Sequence, residues 1–208
     1  MKPVQTGGLC REDGLLASPD LDWCLQVADM TVGPEEYGVM APYVFEPACS
    51  PHLAAALSSR EISFERIWNA FKTLLERHEC VVVEGAGGLM VPVAGDKMML
   101  DLMVLLGLPV ILAARPGLGT LNHTLLSLRE LERSSLDVFG VLFCETRPKA
   151  TWGEIEEDNR RVIEQMGKAS VLGCIPYMEG IQAGEIPIDT FHSEAVRPLR
   201  LPWISNTE

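Results

Sequence analysis

A short apolar run that ends in a single acid is the part of this sequence best suited to chemistry. Residues 80–83 read Cys-Val-Val-Val, Glu84 follows, and the next four residues are Gly-Ala-Gly-Gly. An acid at the end of a buried strand can orient a magnesium ion beside phosphates, and glycines let the backbone approach the ligand closely. Glu84 is therefore a candidate magnesium ligand. Taken alone, the motif fits equally well a turn in which Glu84 caps a helix or meets a surface lysine.

Three other segments place polar groups where a ligand could bind. Lys2 opens the run Lys-Pro-Val-Gln-Thr-Gly, which would present an ammonium and loop amides to an anion, although a lone lysine is usually a solvated surface group. Residues 42–52 contain three prolines, and the fixed loop that they predict is suited either to a binding wall or to simple packing. Residues 114–123 lead from a predicted strand into a predicted helix, where amide donors and the helix dipole favour a carboxylate.

Alternating strands and helices are predicted to position these groups. Short apolar runs predict buried parallel strands over residues 80–84, 109–114 and 138–143. Helical periodicity predicts helices over 63–79, 120–133 and 151–166, the last with a capping box of Thr151 and Glu154. The apolar stripe of the first helix consists of Ile67, Ala70, Phe71, Leu74 and Leu75.

This alternation predicts an α/β fold, with a doubly wound, mostly parallel sheet flanked by helices, in a single domain over residues 1–208. Ligands of such folds bind beyond the C-terminal ends of the strands, which is where Glu84 is placed.

Composition narrows the class of function. The 208 residues are 47% hydrophobic and 22% charged, as in a folded protein, and the net charge of -12 argues against nucleic-acid binding. No apolar run is long enough to cross a membrane, and the N-terminal residues lack the apolar core of a signal peptide. Six cysteines without a Cys-x-x-Cys pair favour a reducing compartment. We therefore expect a cytoplasmic protein that acts on a small molecule.

Together, five segments resemble one family, the ATP-dependent dethiobiotin synthetases. They are KPVQTG, PYVFEPACSPHLAA, VVVEGAGGLMVPV, PGLGTLNHTLL and LGCIPY, in the family's order and at its approximate spacing. The resemblance implies a P-loop NTPase-like fold and a cytoplasmic homodimer. It also implies ATP- and Mg²⁺-dependent carboxylation and ring closure of 7,8-diaminopelargonic acid, with carbon dioxide, to dethiobiotin in biotin biosynthesis.

By motif, the resemblance also implies roles for individual residues. Lys2 would be catalytic and would contact carbamate and phosphate, while Asp20 and Glu84 would bind Mg²⁺; Asp22 is close enough in register to compete with Asp20. The substrate site would be lined by Thr6, Ser50 and Pro51, and the substrate carboxylate would meet Gly119, Thr120 and Asn122 of the neighbouring subunit. ATP would be contacted by Glu84, Gly87, Cys144, Pro176, Tyr177 and Glu179. The family commonly has asparagine at the position of Cys144, and cysteine cannot supply that paired donor and acceptor to a base.

One expected motif is absent from the 208 residues, namely a phosphate-binding loop of pattern GxxxxGK[ST]. The Gly167-Lys168 pair has Val162 and Ala169 at the other required positions, so Gly167 is interpreted as a helix C-cap. In the family this loop precedes the KPV segment, and we therefore expect the family's first strand and helix to be missing here. Either the reading frame was started at an internal methionine, or the gene has lost its nucleotide site.

Three functions follow from these alternatives. The first is a dethiobiotin synthetase, and the second is a nonenzymatic remnant or substrate-binding homologue that has lost ATP binding. The third is a related α/β amidotransferase or ligase, whose sheet can also end in an acid and glycines.

Overall fold

The computed structural model describes residues 1–148, 152–180, 188–191, 193 and 199. The chain divides into two compact units, one spanning Met1–Gly107 and the other beginning at Leu108. Each unit combines helices with parallel strand pairs, which confirms the predicted α/β class. The single domain over residues 1–208 stays a prediction.

The first unit is built from short strands and five helices. Strand β1 pairs in parallel with β4, whereas β2 with β3 and β5 with β6 form antiparallel pairs. In chain order the elements are β1 (Val4–Gln5), β2 (Leu9–Cys10), β3 (Leu16–Ala17), α1 (Pro19–Val27), α2 (Pro34–Met40), β4 (Tyr43–Val44), α3 (Pro51–Leu57), α4 (Phe64–Arg77), β5 (Pro92–Ala94), β6 (Lys97–Met98) and α5 (Met99–Leu106).

The predicted strand over residues 80–84 is wrong, because this segment forms no regular strand. It meets the start of the chain through two hydrogen bonds: the Met1 amino group donates to the Val82 carbonyl at 2.7 Å, and the Glu84 amide donates to the Met1 carbonyl at 3.0 Å. The next bond of a parallel ladder would need the amide of residue 3, which is Pro3 and has no N–H. The ladder therefore stops before it becomes a strand.

Helix α4 confirms most of its prediction. The Ser63 side chain accepts a hydrogen bond from the Arg66 amide and caps the helix, which buries Phe64, Ile67, Phe71 and Leu74. Leu75 was predicted on the same stripe but is half exposed. It follows Ile67 by eight residues and so lies at the margin of the apolar face, outside the packed centre.

The second unit is a three-stranded parallel sheet with strand order β7-β8-β9. Its described elements are β7 (Val110–Ala114), α6 (Thr120–Arg133), β8 (Val138–Cys144), α7 (Glu154–Gly167), β9 (Val171–Ile175) and α8 (Ile188–Phe191). Helices α6 and α7 pack on the sheet through one buried cluster, formed by Leu128, Val141, Phe143, Ile163, Ala169 and Val171. The strands predicted over 109–114 and 138–143 and the helix predicted over 120–133 are confirmed.

The two ends of α7 differ from their prediction. The helix begins at Glu154 after Gly153, whose amide donates to the Glu156 carboxylate at 2.9 Å; Thr151 of the predicted capping box lies outside the described residues. At the other end Gly167 is the last helical residue, and Lys168 takes the left-handed cap position with φ 53°. A Cβ on Gly167 would lie 2.5 Å from Leu128 Cδ1, so the glycine lets α7 approach α6 closely. Gly167 is therefore a packing residue and its interpretation as a C-cap is wrong.

No helix in the described part of the chain is long and apolar enough to span a membrane.

Candidate functional site

Three of the predicted residues meet in the first unit around the side chain of Lys2. Its ammonium donates to Asp20 Oδ2 at 2.6 Å, to Glu84 Oε1 at 2.9 Å and to the Gly85 carbonyl at 3.2 Å. Lys2 is buried, whereas the side chains of Asp20 and Glu84 are 42% and 60% exposed. The carboxylates therefore present their outer oxygens to solvent on either side of a buried cation.

Each of these side chains is positioned by a different segment. Lys2 lies two residues before the start of β1, and its amide donates to the Met40 carbonyl at the end of α2 at 2.8 Å. Asp20 lies in the first turn of α1, which Ser18 caps. Glu84 is positioned by the bond from its amide to the Met1 carbonyl. The three side chains thus come from segments far apart in sequence and converge at the Lys2 ammonium.

The structure distinguishes between Asp20 and Asp22. Asp22 accepts from the Arg11 guanidinium at 3.0 Å and from the Tyr37 hydroxyl at 2.7 Å, whereas Asp20 contacts Lys2. Of the two candidate carboxylates, Asp20 is the one that faces Glu84 across the ammonium. The sequence carried no signal for this choice, because Arg11 and Tyr37 come from other segments.

The electrostatics of the group favour a cation. Burial lowers the pKa of Lys2, but the hydrogen bonds and charges of Asp20 and Glu84 outweigh burial and raise that pKa above its ordinary value. One ammonium between two carboxylates leaves one excess negative charge at neutral pH. Hard carboxylate oxygens suit Mg²⁺, which proteins usually bind through one or two carboxylates together with water and substrate phosphates. Asp20 and Glu84, with their partly exposed carboxylates, fit a site of this kind.

The glycines after Glu84 make a tight turn beside this group. Gly87 has φ 83°, and a Cβ there would lie 2.8 Å from Val91 Cγ2. Only glycine adopts this conformation without strain, and it leaves the backbone of the turn free of side-chain bulk. The role of Gly87 in nucleotide binding stays a prediction.

The predicted substrate-side residues of the first unit lie along two adjoining loops. After Thr6, the amides of Gly7 and Gly8 donate to the carbonyls of Pro47 and Phe45 at 3.2 and 2.8 Å. These bonds fix the chain before α3, where Ser50 is the N-cap residue and Pro51 the first helical residue. The Ser50 hydroxyl does not cap the helix. The segments that carry Thr6 and Ser50 are therefore held side by side.

In the second unit, the loop before α6 and the first turn of that helix carry the predicted carboxylate-binding residues. Gly119 is the N-cap with φ 93°, Thr120 is buried and bonds to Thr124 at 3.1 Å, and Asn122 is exposed. The side-chain amide of Asn159, in α7, donates from Nδ2 to the Pro116 carbonyl at 2.8 Å and fixes the base of this loop. The tip residue Leu118 is 97% exposed.

The predicted nucleotide-binding residues of the second unit meet at one end of its sheet. Cys144 ends β8, the Glu145 amide donates to the Ile175 carbonyl at 3.0 Å, and the Tyr177 amide donates to the Glu145 carboxylate at 3.4 Å. Pro176 lies between these contacts, and Glu179 is exposed two residues beyond Tyr177. Burial raises the pKa of the Cys144 thiol, which therefore stays protonated at neutral pH.

A cavity of about 300 Å³ opens between β7 and α6, and it was not predicted from the sequence. Thr120 and Cys144 line it together with a polar stripe of α6 formed by His123, Thr124 and Ser127. The sequence does hold a signal for this cavity, namely the helical spacing of these polar residues beside the leucine stripe of the same helix.

Comparisons with known proteins complete the description of the site. Residues 1–184 match a protein family described as an AAA domain. The chain is similar to an ATP-dependent dethiobiotin synthetase BioD of Thermodesulfovibrio yellowstonii, with 34% identity over 206 residues, covering 94% of this chain and 84% of the relative. The corresponding protein of Anoxybacillus flavithermus is 36% identical over 187 residues, covering 89% and 80%. That of Anaeromyxobacter dehalogenans (strain 2CP-1) is 42% identical over 149 residues, covering 72% and 63%.

Proposed function

We propose that this chain, which belongs to the AAA domain family and to the ATP-dependent dethiobiotin synthetases, closes the ureido ring of dethiobiotin. The substrates would be 7,8-diaminopelargonic acid, carbon dioxide and ATP, and the setting would be cytoplasmic biotin biosynthesis. The observation that supports this reaction most directly is the buried Lys2 ammonium between Asp20 and Glu84.

The reaction needs two bond-forming steps after capture of carbon dioxide. One substrate amine adds to carbon dioxide and loses a proton, which gives a carbamate. The carbamate oxygen then accepts the terminal phosphoryl group of ATP, releasing ADP. The second amine attacks the carbamoyl carbon, a proton is lost, and inorganic phosphate leaves as the ring closes. Negative charge accumulates around the transferring phosphoryl group, so positive charge placed there lowers the barrier.

The residues around Lys2 are suited to this charge problem. The Lys2 ammonium would bind the carbamate and the phosphoryl oxygens and offset their charge. Asp20 and Glu84 would hold Mg²⁺, which supplies further positive charge to the phosphates when it is bound. The exposed oxygens of both carboxylates support this assignment, because they are open to a metal while Lys2 stays buried.

The remaining residues would orient the substrates. Thr6, Ser50 and Pro51 would line the diamine site in the first unit. The substrate carboxylate would meet Gly119, Thr120 and Asn122 of the neighbouring subunit in a homodimer, at the positive end of the α6 dipole. ATP would be contacted by Glu84, Gly87, Cys144, Pro176, Tyr177 and Glu179.

The alternative considered from the sequence, a nonenzymatic homologue that binds the diamine without ATP, makes a different prediction for ligand binding.

Two measurements distinguish the candidates. Turnover of 7,8-diaminopelargonic acid with bicarbonate, Mg²⁺ and ATP is followed by mass spectrometry of dethiobiotin. Calorimetry then measures the affinity for Mg-ATP and for the diamine separately. Turnover with micromolar Mg-ATP affinity supports the synthetase, whereas diamine binding without ATP affinity supports the binding protein.

Substitution of the central lysine tests the assigned chemistry. Lys2→Met is expected to lower kcat by about 100- to 1000-fold, the usual effect of removing one group that stabilises transition-state charge. Lys72→Met is the matched control, because Lys72 is exposed on α4. Equal activity of the two variants would show that Lys2 has no catalytic role.

A further inference from the structure

The carboxylate of Asp20 belongs to a helix whose start is tied down by buried polar groups. Ser18, the residue that caps α1, is fully buried; its hydroxyl accepts from the Leu21 amide at 3.3 Å and donates to Gln5 Oε1 at 2.7 Å. Gln5 is itself buried in β1, three residues after Lys2. The first turn of α1 is thereby joined to the strand that follows Lys2.

A second tie comes from α2 and depends on one hydroxyl. The Tyr37 oxygen accepts from the Ser18 amide at 2.8 Å and donates to Asp22 Oδ1 at 2.7 Å. Asp20 lies between Ser18 and Asp22, so the residues two positions before and after it are both fixed by the same side chain. The Arg11 guanidinium lies 4.7 Å from the Tyr37 ring centroid and also pairs with Asp22.

The same helix also fixes the backbone of Lys2. Met40, three residues after Tyr37 in α2, accepts the hydrogen bond of the Lys2 amide through its carbonyl at 2.8 Å. The contacts therefore form a closed circuit. It runs from the Lys2 backbone to Met40, along α2 to Tyr37, and on to Ser18 and Asp20. The circuit closes where Asp20 Oδ2 lies 2.6 Å from the Lys2 ammonium. Helix α2 sets both ends of the Lys2–Asp20 pair.

We propose that Tyr37 is a positioning residue: its hydroxyl holds Asp20 against Lys2 and keeps Asp22 turned away from the site. The inference rests on the proposed function, in which Asp20 and Glu84 hold the metal. Without the hydroxyl, the Ser18 amide loses its acceptor and Asp22 loses a donor. Asp22 then keeps the Arg11 guanidinium as a partner but is less firmly held away from the Lys2 ammonium, for which it competes with Asp20.

The chain offers a closely matched control for Tyr37→Phe. The hydroxyl of Tyr43 accepts from the amide of Ser63 at 2.9 Å, and Ser63 caps α4 just as Ser18 caps α1. Tyr43→Phe therefore removes the same kind of bond, from the amide of a helix N-cap to a tyrosine hydroxyl, without touching α1. Any general loss of stability is shared by both variants.

The test measures the interaction between Lys2 and Asp20 directly. A double-mutant cycle with Lys2→Met and Asp20→Asn gives their coupling energy from urea unfolding, in three backgrounds: the unaltered chain, Tyr37→Phe and Tyr43→Phe. We expect the coupling to fall by more than half with Tyr37→Phe and to stay unchanged with Tyr43→Phe. Full coupling in Tyr37→Phe, or equal loss in both, would overturn the proposal.

A second variant and a kinetic measurement complete the design. Should Tyr37→Phe not fold, Asp22→Asn keeps the tyrosine and its bond to the Ser18 amide while it removes the competing charge, so the coupling must not fall for the proposal to stand. In turnover assays we expect Tyr37→Phe to raise the KM for Mg²⁺ by a larger factor than it lowers kcat, and we expect no such change in Tyr43→Phe. A loss of kcat in Tyr37→Phe without a rise in the KM for Mg²⁺ would contradict a positioning role. If the unaltered chain shows no turnover, the proposed function fails, while the coupling cycle still decides the role of Tyr37.

Discussion

At the scale of single residues, the site is unusual in burying its cation and exposing its acids. The buried Lys2 ammonium already offsets the charge of one of the two carboxylates that a metal would use, so the lysine weakens the attraction of the same carboxylates for a metal. Attraction between unlike charges is strong where water is excluded and weak where it is not. The charge state of residue 2 therefore controls how strongly Asp20 and Glu84 attract a cation.

This competition makes a prediction about metal affinity. Lys2→Met removes the ammonium but keeps an unbranched chain of similar length, and leaves two unpaired carboxylates facing each other. We expect Mg²⁺ to bind Lys2→Met more tightly than the unaltered chain when nucleotide is absent, as measured by calorimetry. Lys97→Met is the control, because its ammonium lies over the Phe64 ring, 4.9 Å from the centroid, and contacts neither carboxylate. Unchanged or weaker Mg²⁺ binding in Lys2→Met would contradict the assignment of the site.

The phenol that positions Asp20 has a pH signature of its own. Burial, together with the hydrogen bond to Asp22, raises the pKa of Tyr37 to about 12. A group with a raised folded-state pKa stabilises the fold fully below its unfolded pKa of about 10, and this contribution is lost as the pH rises towards 12. Ultraviolet titration of the phenolates should show a step near pH 12 that Tyr37→Phe lacks. Loss of a step near pH 10 in Tyr37→Phe, with the titration near pH 12 unchanged, would contradict the raised pKa of this hydroxyl.

At the scale of elements, contact between neighbouring strands sets which substitutions are tolerated. A Cβ on Gly140 in β8 would lie 2.6 Å from Leu172 Cγ and 2.8 Å from the Ser170 carbonyl oxygen, which is backbone and cannot rotate away. We expect Gly140→Ala to lower the free energy of unfolding by about 1–3 kcal/mol, the usual range for overpacking. Chemical denaturation measures it.

A glycine in an open position provides the control for that substitution. Nothing lies within 4 Å of a Cβ built on Gly38, which is inside α2. Alanine in a helix interior is favoured over glycine by roughly 0.5–1 kcal/mol, so Gly38→Ala should be neutral or stabilising. Equal loss of stability in the two alanine variants would mean that the contacts of Gly140 do not decide the outcome.

Elements whose signal is local could be predicted from the sequence, and those set by distant partners could not. Helices α4 and α6 and strands β7 and β8 follow from hydrophobic periodicity within each segment. The segment 80–84 has the same apolar pattern, yet it forms no strand because Pro3, far away in sequence, withholds an amide. Gly167 likewise has a packing role that depends on Leu128 in another helix.

The candidate site shows the same division. Lys2 and Glu84 were predicted as site residues from their flanking motifs, and the structure brings them within 2.9 Å. The choice between Asp20 and Asp22 could not be made from the sequence. Both lie in the first turn of α1, and Tyr37 and Arg11, which hold Asp22, belong to segments without a recognisable pattern.

At the scale of the whole molecule, the cysteines report on which surfaces are open. All six are free thiols; Cys10, Cys24 and Cys80 are exposed. Burial is the main cause that raises the pKa of Cys174, to about 12, and burial also raises that of Cys144. Because the thiolate is the reactive form, we expect Cys10 and Cys80 to be alkylated first and Cys174 last. Timed iodoacetamide labelling with peptide mass spectrometry measures the order, and early labelling of Cys174 would contradict the fold of the second unit.

The circuit through α2 has a consequence for how this helix can vary. Tyr37 and Met40 lie about one helical turn apart in α2, and their relative position on the helix depends on the number of residues between them. Inserting one residue there would rotate Met40 by about 100° about the helix axis relative to Tyr37. Side chains on the outer surface of α2 are thus free to diversify, while its length is locked to the spacing of two opposite charges.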